Sequence, residues 1–271
     1  MGAERVDLSG NVERFTGFAT VYDQFRPHPP PALQELLLRL AQPAAAHLVV
    51  DLGSGTGLST RFWADAATEV VGIEPSADMR KVAAQHTTAP NVRYRHGYAH
   101  DTGLLDAAAD IVTCSQSLHW MEPQATFVES ARILRAGGVF AAYDCDWPPT
   151  TSHWEADDAF MLLMLRVHQL ESEHGTAAGV QRWLKHEHLG RMQASGCFRF
   201  TKEILLHHIE MGNAQRLVGM ARSQGGLMGL LKRGLTEAEI GLDALGALAE
   251  RWLGDEPKPW YFSYRVRIGI K

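Results

Sequence analysis

The chain has 271 residues, a formal net charge of −5 at pH 7, 45% hydrophobic residues and 21% charged residues, an ordinary composition for a globular protein. The lack of a basic excess argues against a nucleic-acid partner, and no apolar run approaches the roughly 20 residues that span a bilayer. Three scattered cysteines without metal-site spacing, and an N-terminus without an apolar signal-peptide core, favour a cytoplasmic protein with no membrane contact.

Strands and helices alternate through the first half of the chain. A helix is predicted at PPPALQELLLRLA, and further helices at LSTRFWADAA, at SADMRKVAAQH with Ser76 as its N-cap, and at PQATFVESARIL, which RAGG is expected to end as a glycine C-cap. Five apolar strands are predicted at HLVVDL, EVVGIE, NVRYRHG, ADIVTCSQ and VFAAYDCD. This alternation predicts right-handed β-α-β units and a parallel sheet.

The pattern changes after Trp147. Residues 147–196 are mostly helical in pattern and are interpreted as an inserted helical cap. A strand at FRFTKEILLHHIEM follows, then a helical connection with a capping-box pattern from Thr236 to Glu239, and a closing strand at WYFSYRVRIGIK. The predicted fold is α/β, a Rossmann-like seven-stranded, mostly parallel sheet, with residues 1–271 as a single domain.

The stretch VVDLGSGTGLSTRF, residues 49–62, places Gly53, Gly55 and Gly57 at alternate positions directly after a predicted strand. Glycine weakens ordered structure, so such a run indicates a turn whose backbone approaches a ligand closely. In an open α/β sheet, ligands bind beyond the carboxyl ends of the strands. Glu74 ends the second strand, where a carboxylate can accept hydrogen bonds from both hydroxyls of a ribose. These features predict a nucleoside-bearing ligand.

Two classes of enzyme bind such a ligand in this way. A dinucleotide-dependent oxidoreductase has the fingerprint G-x-G-x-x-G, but Leu58 stands where its third glycine is needed. A methyltransferase that uses S-adenosylmethionine needs the ribose site without the pyrophosphate site.

Five segments in chain order resemble the class I methyltransferases, in particular those with a methyltransferase type 11 domain. D-x-G-x-G-x-G, from Asp51 to Gly57, resembles their first motif, and EPSADM, SQSLHWM and RILRAGGVF resemble later ones. YDQFRPHPP resembles a stretch found in small-molecule methyltransferases related to the trans-aconitate and toxoflavin enzymes. The resemblance covers Phe15 to about Trp147 strongly and the rest of the chain weakly.

The resemblance implies S-adenosylmethionine as the cofactor and assigns residues to it. Its methionine part would lie on the turn, its ribose on Glu74 and its adenine on Met79, while Asp101 would accept from the adenine amine. Tyr22 and Arg26 would close over its carboxylate. Ser115 and Gln116 would offer backbone carbonyls to its ammonium group. The full predicted cofactor set is Tyr22, Arg26, Asp51, Gly53, Ser54, Gly55, Gly57, Glu74, Pro75, Ser76, Met79, Asp101, Ser115 and Gln116.

The methyl acceptor is expected beyond the fourth and fifth strands. His119 lies where the methyl group should emerge and is either a general base, with an ordinary pKa near 6.5, or a packing residue. The predicted substrate residues are His119, Trp120, Tyr143, Asp144, Asp146 and Trp147. No metal is expected, since only His208 and Glu210 of the HHIEMG run share a strand face. The histidines at 168, 174, 186 and 188 are interpreted as mostly solvated.

The resemblance therefore implies transfer of a methyl group to oxygen, nitrogen or carbon of a small molecule, with secondary metabolism as the setting. The alternatives are a nucleotide-dependent oxidoreductase and a cofactor-binding protein without turnover.

Overall fold

A computed structural model gives the structure of residues 6–15, 17–42 and 45–271. Within these ranges the strands are β1 (Ala46–Leu52), β2 (Ala67–Ile73), β3 (Val92–Arg95), β4 (Ala109–Ser115), β5 (Leu134–Cys145), β6 (Phe200–Gly212) and β7 (Lys258–Ile270). The α-helices are α1 (Ser9–Arg14), α2 (Ala19–Phe25), α3 (Pro31–Ala41), α4 (Leu58–Phe62), α5 (Ala77–His86), α6 (Pro123–Ile133), α7 (Trp154–His174), α8 (His188–Ala194), α9 (Ala214–Arg222), α10 (Gly225–Lys232), α11 (Glu237–Ile240) and α12 (Leu242–Trp252). None of the helices in these ranges has the length and apolar character that a bilayer crossing requires.

The strands form one seven-stranded sheet in the order β3-β2-β1-β4-β5-β7-β6. β1 to β5 pair in parallel, and β7 runs antiparallel to both β5 and β6. The predicted Rossmann-like, mostly parallel sheet is confirmed. Because the strand order reverses between β1 and β4, the connections after these strands diverge and leave a crevice beyond their carboxyl ends.

Helices cover both faces of the sheet. Successive strand residues point to opposite faces, so each strand contributes to both cores. Val49 of β1 packs in one core cluster with Leu33 of α3. Its neighbour Val50 packs in a second cluster with Phe127 of α6. All four side chains are fully buried, so the strands are apolar on both faces, as expected for a parallel sheet between helical layers.

The helices after β5 lie in two places. α7 contacts α9, α10, α11 and α12, and Phe160 of α7 joins the core cluster on the α3 side of the sheet. α8 contacts α6 instead, and its Met192 packs in the cluster on the opposite side. The segment predicted as a cap, residues 147–196, therefore divides between the two sides, and α9 to α12 pack with its first helix.

Two predicted helix ends are wrong. α6 ends at Ile133 and β5 begins at the next residue, so the RAGG glycines lie inside a strand instead of capping a helix. Gly137 has φ +75°, and the pairing between β4 and β5 shifts register at this point, so the glycines accommodate a β-bulge. The helix predicted at LSTRFWADAA ends at Phe62, because the chain turns through residues 63–66 into β2.

Candidate active site

Three adjoining cavities lie beyond the carboxyl ends of β1 and β4. Cavity A, about 770 Å³, lies between α1, the glycine turn and the start of α5. Cavity B, about 510 Å³, lies between the turn and the chain after α2. Cavity C, about 880 Å³, lies between α1, α2, α7 and the start of α10. Tyr22 and Gln116 line all three cavities, so the three spaces meet at these side chains.

Gly53 and Gly55 of the glycine turn both line cavities A and B. Gly53, Gly55 and Gly57 all have positive φ, at +64°, +53° and +80°. A Cβ on Gly53 would lie 2.5 Å from the Met121 side chain, and one on Gly57 would clash with the Tyr94 hydroxyl. A Cβ on Gly55 would meet no atom of the described residues within 4 Å, and Gly55 lines cavities A and B. Gly57 therefore serves packing, whereas Gly55 opens the turn to a ligand.

Glu74 is fixed at the floor of cavity A by two backbone donors. Its Oε2 accepts from the Gly55 N–H at 2.9 Å and its Oε1 from the Ser76 N–H at 2.8 Å. The side chain is buried, and burial raises the pKa of this carboxyl above its ordinary value, while the two N–H donors oppose the shift. Each carboxylate oxygen has two lone pairs, so one on each oxygen remains for a ligand hydroxyl.

Asp51 lies below the turn and supports it from inside. Its two oxygens accept from the hydroxyls of Thr60 at 2.8 Å and Thr113 at 2.9 Å. Burial raises the pKa of Asp51 to about 6. The carboxyl lines cavity B but already has its two threonine donors, which makes it chiefly a support for the turn.

The far end of cavity A is apolar. Pro75 and Met79 line it, and the Ser76 hydroxyl caps α5 by accepting from the Met79 N–H at 3.4 Å. Asp101 is exposed and lines none of the three cavities. Its neighbour His100 lines cavity A instead, so the structure does not bring Asp101 to the predicted adenine position.

Tyr22 and Arg26 lie together, as their spacing on α2 predicts. The Arg26 guanidinium lies 4.6 Å from the centroid of the Tyr22 ring and 5.0 Å from that of Trp147. Its Nη2 donates to the Ser223 carbonyl at 2.8 Å, and its Nε is buried without a hydrogen-bond partner among the described residues. Arg26 lines cavities B and C, so its charge faces both.

Ser115 and Gln116 end β4 at the meeting point of the cavities. Gln116 has φ +53°, which is uncommon outside glycine and marks a constrained position. Its Oε1 accepts from Lys185 Nζ at 3.1 Å, and its Nε2 is buried without a partner in the described part of the chain. Ser115 lines cavities A and B.

His119 faces cavity C and is only 5% exposed. Its Nδ1 lies 3.7 Å from Asp144 Oδ1, too far for a hydrogen bond. Asp144 binds Lys185 Nζ at 2.8 Å and Arg267 at 2.8 Å. Burial, and next the charges of Lys185 and Arg182, lower the pKa of His119 well below its ordinary value, so its imidazole is neutral at physiological pH.

The other predicted substrate residues divide. Trp120 lines cavities A and C, and Trp147 lines cavity C. Tyr143 is fully buried in the core cluster on the α3 side, with its hydroxyl on that of Ser59, and burial raises its pKa. Asp146 is half-exposed and binds Arg265 at 3.1 Å. Tyr143, Asp144 and Asp146 therefore do not line cavity C, although Asp144 binds Lys185, which does.

The described residues contain no group of three or more metal-ligating side chains. In the HHIEMG run, His208 Nε2 lies 3.7 Å from Glu210 Oε1, but Glu210 is bound by Arg216 and by the His28 N–H.

Residues 50–142, which contain the glycine turn, Glu74 and His119, match the family described as methyltransferase domain. This part of the chain carries a methyltransferase domain. An uncharacterised methyltransferase of Mycobacterium bovis is 36% identical over 138 residues, 51% of this chain and 53% of that protein. A candidate S-adenosylmethionine-dependent methyltransferase of Mycolicibacterium smegmatis is 38% identical over 103 residues, 38% of this chain and 39% of that protein.

The chain spans about half the length of the first of these relatives. A candidate type II methyltransferase from Anaeromyxobacter dehalogenans has the same fold, with a TM-score of 0.65, 23% identity, and coverage of 91% of this chain and 98% of that one.

S-adenosylmethionine is the cofactor that the resemblance to methyltransferases implies, and the residues around cavities A and B fit it. Glu74 keeps lone pairs free for two hydroxyls, and Gly55 leaves open space above the turn. Met79 offers an apolar wall for an adenine, and Arg26 has a buried Nε without a partner for a carboxylate. The fit rests on donors, acceptors and open space that remain available after the hydrogen bonds among the described residues are made.

Several side chains around cavity C could not be identified from the sequence. No local sequence pattern identifies these side chains, because they come from segments far apart in the chain. They are Arg14, His168, Glu171, Arg182 and Lys185. His188 was expected to be solvated, but it is fully buried with both ring nitrogens unpartnered among the described residues. Burial lowers the pKa of His188 to about 4.

Proposed function

We propose that the protein transfers a methyl group from S-adenosylmethionine, bound in cavities A and B, to a small-molecule acceptor bound in cavity C. One observation carries the proposal: Tyr22 and Gln116 line all three cavities, so a donor in A and B and an acceptor in C would meet there. The acceptor belongs among small molecules such as those of secondary metabolism, and we place the reaction in the cytoplasm, where Cys114, Cys145 and Cys197 stay free thiols.

The bound cofactor supplies a methyl group activated on a sulfonium. Glu74 and the Gly55 backbone fix the nucleoside end of the site, and Arg26 fixes the carboxylate end. Trp120 and Phe15, whose ring centroids lie 5.4 Å apart, form an apolar wall of cavity A beside the meeting point. The main catalytic contribution of these residues is to hold donor and acceptor in line, since such positioning removes much of the entropic cost.

His119 accepts the acceptor's proton where the acceptor carries one. Its imidazole is neutral, so it can take a proton, and Nδ1 lies on the Asp144 side, which leaves Nε2 for the acceptor. Its low pKa makes it a weak base, so it serves a nucleophile that loses its proton as the new bond forms.

The oxidoreductase alternative needs a pyrophosphate against the first turn of α4. Leu58 starts α4 and lines cavity B, so an isobutyl group occupies the position where that class has a glycine.

Isothermal titration with S-adenosylhomocysteine and with NAD tests the proposal. We expect one-to-one binding of S-adenosylhomocysteine and no binding of NAD. The opposite pattern would establish the oxidoreductase. A methyl-labelled S-adenosylmethionine assay against a metabolite panel then separates an enzyme from a binding protein, because labelled product requires turnover. Binding of S-adenosylhomocysteine without transfer to any panel member or extract fraction would contradict the activity.

A further inference from the structure

Cavity C carries more positive than negative charge. The lining cations are Arg14, Arg26, Arg182 and Lys185, and among the described lining residues the only carboxylate is Glu171. Two of the cations are already neutralised. Arg14 Nη2 lies 2.7 Å from Glu171 Oε1, and Lys185 Nζ lies 2.8 Å from Asp144 Oδ1. Arg26 and Arg182 have no acidic partner among the residues that the structure describes.

Arg182 is the free cation that belongs to cavity C alone. Arg26 also lines cavity B, where the proposed function uses it for the cofactor. Arg182 makes no hydrogen bond or ion pair with any residue that the structure describes, and its guanidinium lies 5.4 Å from the centroid of the Trp120 ring. An unpaired guanidinium at the wall of a partly apolar cavity attracts an anion, and its planar fork matches a carboxylate.

The walls of cavity C favour a flat ligand. Trp120 and Trp147 line it, and both rings are held by neighbours. Trp120 lies edge-on to Phe15 with ring centroids 5.4 Å apart, and Trp147 stacks on Phe160 at 6.1 Å. Guanidinium groups already lie over both rings, Arg14 at 5.5 Å from the Trp120 centroid and Arg26 at 5.0 Å from the Trp147 centroid. The rings therefore offer chiefly edge contacts to a planar aromatic ligand, at little entropic cost because they are fixed.

We propose that the methyl acceptor is a planar aromatic molecule that carries one carboxylate, and that Arg182 binds this carboxylate while the ring packs against Trp120. The inference rests on the proposed function and names the acceptor class of the same site. One free guanidinium matches a single negative charge. Held at Arg182, the ring extends toward His119 and Gln116, which line the same cavity.

Binding of matched probes to the full chain, saturated with S-adenosylhomocysteine, tests the inference by isothermal titration. The probes share one ring system: 2-naphthoate, neutral 2-naphthamide, cationic 2-naphthylmethylamine and dianionic 2-naphthyl phosphate. We expect 2-naphthoate to bind at least about tenfold more tightly than each of the others, with a dissociation constant in the millimolar range or below. Equal binding of 2-naphthoate and 2-naphthamide would overturn the proposed acceptor class. So would tighter binding of 2-naphthylmethylamine or 2-naphthyl phosphate than of 2-naphthoate, or no binding of any probe.

Variants then locate the anion. Arg182→Gln should remove the preference for 2-naphthoate, and Arg182→Lys should restore part of it, because the charge is kept and the fork is lost. Arg233→Gln, which removes an exposed arginine outside the cavities, should change nothing. An Arg182→Gln variant that keeps the preference would overturn the assignment. All variants should bind S-adenosylhomocysteine as the parent does; failure of the parent to bind it would instead defeat the proposed function.

Discussion

Cavities A and B differ from cavity C in what their walls are made of. Around A and B, the groups offered to a ligand belong to loops at strand ends: the Gly55 turn, Glu74 and Ser115. Around C, the walls are side chains from distant segments, among them Arg14 of α1, Glu171 of α7 and Arg182. Backbone geometry therefore fixes the cofactor side, and side-chain packing fixes the acceptor side.

The two sides also carry opposite electrostatics. The cofactor side contains the buried carboxyls of Asp51 and Glu74, whose pKa values burial raises. Next to the acceptor side lie the buried imidazoles of His119 and His188, whose pKa values burial lowers. Burial disfavours the charged form of each group. As pH falls, the buried carboxyls therefore contribute more to the stability of the folded protein, and the buried imidazoles contribute less.

The largest expected effect comes from closing the open space above the turn. Gly55→Val should weaken S-adenosylhomocysteine binding by at least about 100-fold, because the branched side chain would occupy cavities A and B. Gly196→Val is the matched control: Gly196 also has positive φ, at +69°, and open space around it, but lines no cavity. Titration of both variants measures the difference, and equal affinities would mean that the cofactor lies elsewhere.

This contrast explains what could be predicted from the sequence. The turn, Glu74 and the β4 end follow from local patterns, because consecutive residues at a strand end stay together in the fold. Arg182 could not be found in this way, because its position beside Trp120 depends on packing between distant segments. Nor does the sequence decide between His100 and Asp101, since the conformation of the loop sets which neighbour lines cavity A.

The second prediction concerns the catalytic role of His119. We expect His119→Ala to lower kcat by about 100-fold while S-adenosylhomocysteine affinity changes by less than about twofold. The parent rate should be flat from about pH 6.5 to 8, since the imidazole is neutral throughout this range. His186→Ala, at an exposed site, is the control. A parent rate that rises with pH through an apparent pKa near 6.5 would contradict the burial of a neutral base.

The buried imidazole of His188 should make the fold sensitive to acid. Because its pKa is about 4 in the folded protein, the unfolded chain binds more protons between about pH 4 and 6.5, and stability falls as pH falls. The expected loss from this group between pH 7 and 5 is about 2 kcal/mol of unfolding free energy. Urea unfolding at the two pH values should show a smaller loss for His188→Leu than for the parent or His174→Leu. Identical losses of unfolding free energy in all three proteins would contradict a role of His188 in the acid sensitivity of the fold.

The smallest effect separates two neighbours at the adenine end. His100→Ala should weaken S-adenosylhomocysteine binding by about 2- to 10-fold, the range of a single hydrogen bond, whereas Asp101→Ala should leave it unchanged. Titration of both variants with S-adenosylhomocysteine shows which residue contacts the adenine. A larger loss of affinity from Asp101→Ala than from His100→Ala would support the assignment of Asp101 made from the sequence.

The central claim is that Glu74 joins the glycine turn to the ribose of the cofactor, and titration of Glu74→Gln with S-adenosylhomocysteine tests it most directly. Both oxygens of Glu74 already accept backbone hydrogen bonds, so the amide loses one acceptor and the charge that two ribose hydroxyls need. We predict a loss of about 10- to 100-fold, or about 1.5–3 kcal/mol, with Glu69→Gln on the same strand unchanged. A folded Glu74→Gln protein that binds S-adenosylhomocysteine as tightly as the parent would contradict the claim.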